Sequence, residues 1–131
     1  MILLAVEEVL MLHDKLLKAT GGLPGLRDRG LLESAVLSVN ASFEEYPTVE
    51  EKATRLAYSL VANHAFVDGN KRVGVLAMLV TLYLNGVALQ YTQRELIELG
   101  LAVASGNVGY DEILAWIKGE RKNGAVGAVD F

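Results

Sequence analysis

The sequence predicts an all-α fold, a compact bundle of about six helices. Apolar residues recur every three or four positions through most of the 131 residues, the period of a helix with one buried face. Two segments, Thr48-Val49-Glu50-Glu51 and Thr92-Gln93-Arg94-Glu95, have the form of a capping box, in which hydroxyl and carboxylate each satisfy a backbone donor at a helix start. Glycine and Asn-Gly breaks fall between the periodic stretches, where helices end.

In chain order, Leu3, Val6, Val9, Leu10, His13, Leu16 and Leu17 form one apolar stripe with Glu7, Glu8, Asp14 and Lys15 off it, an opening amphipathic helix stopped by Gly21-Gly22. Pro24, Gly25 and Gly30 mark a loop, and Asp28 is placed to cap a second helix with Leu32, Ala35, Val36 and Val39 on one face. Phe43 to Pro47 reads as an extended or turn segment. Thr48 opens a third helix, on which Leu56, Leu60 and His64 stand four apart, setting the imidazole at its C-terminal end. Asp68-Gly69 turns the chain, and Asn70 begins a helix apolar on nearly all sides that Asn85-Gly86 ends. Val87 to Tyr91 is short and partly alternating, an extended flap. Thr92 opens a fifth helix with Leu96, Leu99 and Val103, and Gly106 and Gly109 bracket a loop before a last one with Ile113, Leu114, Trp116 and Ile117. Residues 1–119 thus form one domain, and 120–131 are expected to be a flexible tail.

The totals narrow the function. A chain of this length buries a core without disulfides or structural metal. The absence of cysteine excludes a thiolate nucleophile, a disulfide framework and a Cys-ligated zinc site, and two histidines cannot make a three-histidine metal site. A formal charge of -4 argues against a general nucleic-acid binder. The N-terminal apolar run lacks the positive n-region of a signal peptide, and the run from Val73 to Leu84 falls short of the roughly twenty residues that span a bilayer. A cytoplasmic protein is expected, without membrane partners, as a monomer or weak homodimer.

The densest chemistry lies in His64-Ala65-Phe66-Val67-Asp68-Gly69-Asn70-Lys71-Arg72. His64 is of the residue type that exchanges a proton near physiological pH and can take one from an incoming hydroxyl. Asp68 can hold a hard cation or cap the helix beginning at Asn70. Gly69, Asn70, Lys71 and Arg72 make a positively charged helix start where backbone N–H groups, the helix dipole and a guanidinium fork suit phosphate oxygens. The Asn70 amide can bind phosphate or cap its own helix. Phe66 is a core anchor. Gly-Asn-Lys-Arg alone would read as an exposed turn and His64 alone as a packed histidine; their juxtaposition with Asp68 points to movement of a phosphate-containing group. His13, on the first helix's apolar stripe, is expected to be packed; Arg27 and Asp28 either face the site or pair with each other on a solvated loop, the second being the expectation.

This run resembles the His-x-Phe-x-(Asp/Glu)-Gly-Asn signature of the Fic/Doc family, and its Asn-Lys-Arg ending resembles the family's death-on-curing branch. The segment Gly21-Gly22-Leu23-Pro24-Gly25-Leu26-Arg27-Asp28-Arg29-Gly30, followed by Leu32-Glu33-Ser34-Ala35, is similar to the glycine-rich part of those toxins. The resemblance spans roughly Val6 to Ile117 and implies the same helical fold, with His64 as general base and Asp68 on Mg2+ bridging two phosphates. Fic enzymes that attach AMP carry Gly-Asn-Gly-Arg-x-x-Arg, and here the corresponding positions are Lys71 and Val75. That difference shifts the expectation towards a toxin of a toxin-antitoxin pair that moves phosphate from ATP to a Ser or Thr hydroxyl, by resemblance on translation elongation factor Tu. AMP transfer, or a degenerate module that only binds nucleotide or antitoxin, are the alternatives. Gly69 stands where the best-known member of that branch has alanine, and Val73-Gly74 in place of a Thr-Ala pair after the arginine. No Ser or Thr has Glu four residues on, so the inhibitory motif of some Fic proteins is missing and a separate antitoxin is implied.

Overall fold

A computed structural model of the chain describes residues 1–41, 45–87, 89–106 and 108–120. Among the described residues there are six helices: α1 (Val6–Thr20), α2 (Arg29–Ala41), α3 (Val49–Asn63), α4 (Asn70–Leu84), α5 (Gln93–Ala104) and α6 (Tyr110–Glu120). No strand occurs among the described residues, and one isolated antiparallel bridge joins Leu26 to Phe66. The all-α bundle read from periodicity is therefore the fold.

The starts of the helices follow from side-chain chemistry. Thr48 and Thr92 accept hydrogen bonds from the Glu51 and Glu95 N–H groups, each at 3.1 Å, and Asp28 accepts from Leu31 N–H at 3.1 Å. At Thr92 the box is complete, since Glu95 accepts from Thr92 N–H in return. At Thr48 the Glu51 carboxylate takes the threonine hydroxyl instead. α1 begins later than the apolar stripe suggested: Leu3 and Leu4 precede the helix, and Leu4 enters the core from an extended lead-in. Asn85 holds that lead-in, accepting from Ile2 N–H and donating to Ile2 O, both at 2.7 Å.

α4 is the central element, packed mainly on α3 and also against α1 and α5, which explains why Val73 to Leu79 are all buried. One core, with Val9, Leu16, Leu32, Val36, Leu60, Phe66 and Val73, lies among α1 to α4. A second, with Met78, Leu82, Leu99, Val103, Ile113 and Ile117, lies among α3 to α6. Val87 and Leu89 of the flap are buried in the second core, and Tyr91 packs its ring on Trp116 at 5.8 Å between centroids. The described part of the flap is thus held by packing, without a strand partner. α6 continues through Gly119 to Glu120; of the expected tail, 121–131 lie outside the described residues, as do Phe43 and Glu44 of the turn expected from Phe43 to Pro47.

Candidate active site

α3 ends where His64 takes the left-handed conformation, φ 50° and ψ 47°, and among the described residues it is the one non-glycine with positive φ. That cap turns the chain out of the bundle and leaves the imidazole exposed, while Ala65 and Phe66 return at once to the core. The turn before α4 closes on Asn70, which is buried: its Oδ1 accepts from Phe66 N–H at 3.0 Å and its Nδ2 donates to Phe66 O at 2.9 Å. Both amide atoms therefore hold the loop, and Asn70 offers the site its backbone. Gly69 is the N-cap of α4 with φ 80°, a conformation that glycine adopts without strain.

The first intrahelical bond of α4 runs from Val73 N–H to Gly69 O at 2.9 Å, so the N–H groups of residues 70 to 72 precede the helical ladder at the positive end of the dipole. His64, Asp68, Gly69, Asn70, Lys71 and Arg72 all line one cavity of about 590 Å³. Leu16 and Thr20 of α1 and Val75 of α4 complete one side, and Leu96, Ile97, Gly100 and Leu101 of α5 form another. His64 and Lys71 also line a second cavity of about 350 Å³ with Tyr58, Val103 and Ser105. The imidazole thus stands at a junction. Phe66 lies beneath this surface, 3 % exposed.

Asp68 and Arg72 are set by the turn that follows α1. Asp68 accepts from Leu23 N–H at 3.0 Å and Gly69 N–H at 2.8 Å, with Arg72 Nη2 at 3.6 Å. These donors, Leu23 first and then Gly69, hold its carboxyl below the usual carboxylate pKa, with Arg72 adding a smaller effect. Arg72 Nη1 donates to Thr20 Oγ1 at 2.7 Å and Gly21 O at 2.8 Å. Asp68 is the carboxylate on this cavity, and its two oxygens keep lone pairs beyond the bonds they accept. No group of three His, Asp or Glu side chains converges among the described residues. The donor set suits Mg2+ carried by a polyphosphate and touched by one carboxylate.

Four supporting residues, His13, Arg27, Ile97 and Leu101, were not legible as such. His13 is packed as expected, but it packs beneath the site, against Phe66 and the Asp68 carbonyl. Arg27 and Asp28 do not pair: Arg27 donates to the His64 carbonyl while Asp28 caps α2. Ile97 and Leu101, 58 % and 65 % exposed, lie off the buried stripe of α5. Apolar residues on that second face were the available signal.

A histidine at a helix end, a carboxylate and the start of a helix thus line a single cavity. The chain belongs to the Fic/DOC family, whose model matches residues 3–82. It is 31% identical over 109 residues to the protein named Protein kinase doc of Escherichia phage P1, covering 82% of this chain and 86% of that one. It is 38% identical over 106 residues to Toxin Doc of Mycolicibacterium smegmatis (strain ATCC 700084 / mc(2)155), covering 77% and 82%.

Proposed function

We propose that this chain is the toxin of a toxin-antitoxin pair and transfers the γ-phosphate of ATP to a Ser or Thr hydroxyl of a target protein, translation elongation factor Tu by family resemblance. The observation that carries the reading is the placement of His64 and the α4 N-terminus on one cavity large enough for a nucleotide. The names of the two relatives support a toxin and a kinase. Lys71 and Val75 support phosphate over AMP transfer, since an apolar side chain lines the cavity where AMP-transferring Fic enzymes carry their second arginine.

In this reading His64 takes the proton of the target hydroxyl as its oxygen forms a bond to the γ-phosphorus. The bond from that phosphorus to the β–γ bridging oxygen breaks, and ADP leaves with the electron pair. The backbone N–H groups at the start of α4, residues 70 to 72, and the Arg72 guanidinium stabilise the phosphoryl oxygens. Asp68 would hold Mg2+, which supplies charge neutralisation between phosphates. The apolar residues of α5 exclude water from the nucleotide. A separate antitoxin restrains the activity in the cytoplasm.

The test uses ATP labelled separately at the α and γ positions, with elongation factor Tu as acceptor. Protein-bound label is expected from the γ position alone; label from α would establish AMP transfer instead. His64→Ala is expected to lower transfer by about 10²–10⁴-fold with an unchanged melting temperature, and retention of activity would refute the general base.

A further inference from the structure

The left-handed backbone of His64 is a conformation that residues with a side chain hold only when their surroundings enforce it. Here the enforcement comes from a segment far back in the chain. Arg27 Nε donates to His64 O at 2.8 Å, Nη2 donates to the same oxygen, and Nη2 lies 3.4 Å from Asn63 O. These carbonyls close α3 at the negative end of its dipole, where a cation is favoured. Beyond His64, Arg27 N–H and Asp28 N–H donate to Ala65 O at 2.7 and 3.0 Å, and Val67 N–H donates to Gly25 O at 3.0 Å. Backbone pairing therefore pins the residues after His64, while among the described residues it is the Arg27 side chain that holds the carbonyl of His64 itself.

We propose that Arg27 is a positioning residue for His64: its guanidinium fork on one carbonyl keeps the α3 cap left-handed and aims the imidazole into the cavity, an inference that rests on His64 being the base. A planar fork can place two N–H groups on a single oxygen, whereas lysine offers one point charge on a flexible stem. Arg27→Lys should therefore recover part of the function that Arg27→Ala loses.

The test combines steady-state phosphate transfer with NMR of the His64 backbone in the full chain. Arg27→Ala is expected to lower kcat by about 10–100-fold while KM for ATP stays within about twofold, the pattern of a misplaced reacting group. Arg27→Lys should fall between, and added guanidinium should restore part of the Arg27→Ala rate. The His64 amide and Cα shifts should move away from left-handed values in Arg27→Ala, a change read without any turnover. Unchanged kcat together with unchanged His64 shifts would overturn the proposal. If the unsubstituted protein transfers no phosphate, altered shifts still support the positioning role and the kinase reading alone fails. Should Arg27→Ala not fold, the same two measurements on Arg27→Lys decide, with full kcat and unmoved shifts counting against the fork.

Discussion

His13 lies flat against Phe66, ring centroids 3.7 Å apart and planes within 10°, and its Nε2–H donates to the Asp68 carbonyl at 2.7 Å. One buried side chain of α1 thus supports both the aromatic anchor of the loop and the backbone of its carboxylate. Its contribution is mechanical: it holds the loop between α3 and α4 down on α1. His13→Leu removes the stack and the hydrogen bond together and should cost about 1–3 kcal/mol. Urea unfolding measures that loss, and an unchanged midpoint would show that the loop stands without it.

Gly22 passes directly over the Asp68–Arg72 pair. A Cβ there would lie 2.7 Å from Asp68 Oδ2 and 2.9 Å from both Arg72 Nη2 and Leu17 Cδ2, and its φ of +125° is strained for any side chain. At Gly21, φ +81°, a Cβ meets nothing within 4 Å. Gly22→Ala is expected to cost about 1–3 kcal/mol and most of the transfer activity, while Gly21→Ala carries only backbone strain and stays active. Thermal unfolding paired with the γ-label assay separates the two; equal activity would remove the turn from the site.

The Asp68 carboxyl is held below its ordinary pKa by the Leu23 and Gly69 N–H groups, so the unfolded chain takes up its proton first as pH falls. The stabilisation is fully present above the ordinary carboxylate range near about 4 and is lost as pH drops through the lower folded value. Asp68→Asn should accordingly be less stable than the unsubstituted chain at neutral pH, with the gap closing as pH falls through and below the ordinary carboxylate range. Urea midpoints across that range test the sign, and a gap that widens on acidification would contradict it.

Leu101 is 65 % exposed yet lines the large cavity, so the fold tolerates change there while a ligand would not. Leu101→Asp should raise KM for ATP roughly tenfold, about 1.4 kcal/mol, with the melting temperature unchanged. Initial rates over a range of ATP concentrations provide the measurement; an unaltered KM would place the nucleotide elsewhere.

Thr48, Asp28 and Thr92 show why so much of the fold could be read in advance. Each hydroxyl or carboxylate bonds a backbone donor three residues away, so the signal and its consequence lie in one turn of chain. The start of α1 shows where that reasoning stops. Apolar spacing cannot separate a helical Leu3 from one in a lead-in that precedes the helix, and the deciding contact is with Asn85 at the far end of α4. Within the site, Gly69 and Asn70 were conspicuous as residue types. That the Asn70 amide closes on Phe66 rather than facing a ligand follows only from the path of the loop.

By itself, then, the sequence determined a bundle of about six helices, the family, and the one short run in which an imidazole, a carboxylate and a helix start coincide, because those features depend on residues a few positions apart. Tertiary structure alone decided what holds that run in place: Arg27 on the His64 carbonyl, His13 under Asp68, and Thr20 with Gly21 on Arg72, separated by 37, 55 and about fifty residues. Hydrophobic periodicity reports which face of a helix is buried but not which distant group it meets. Those meetings are set by how α1 and the glycine-rich loop pack against the ends of α3 and α4.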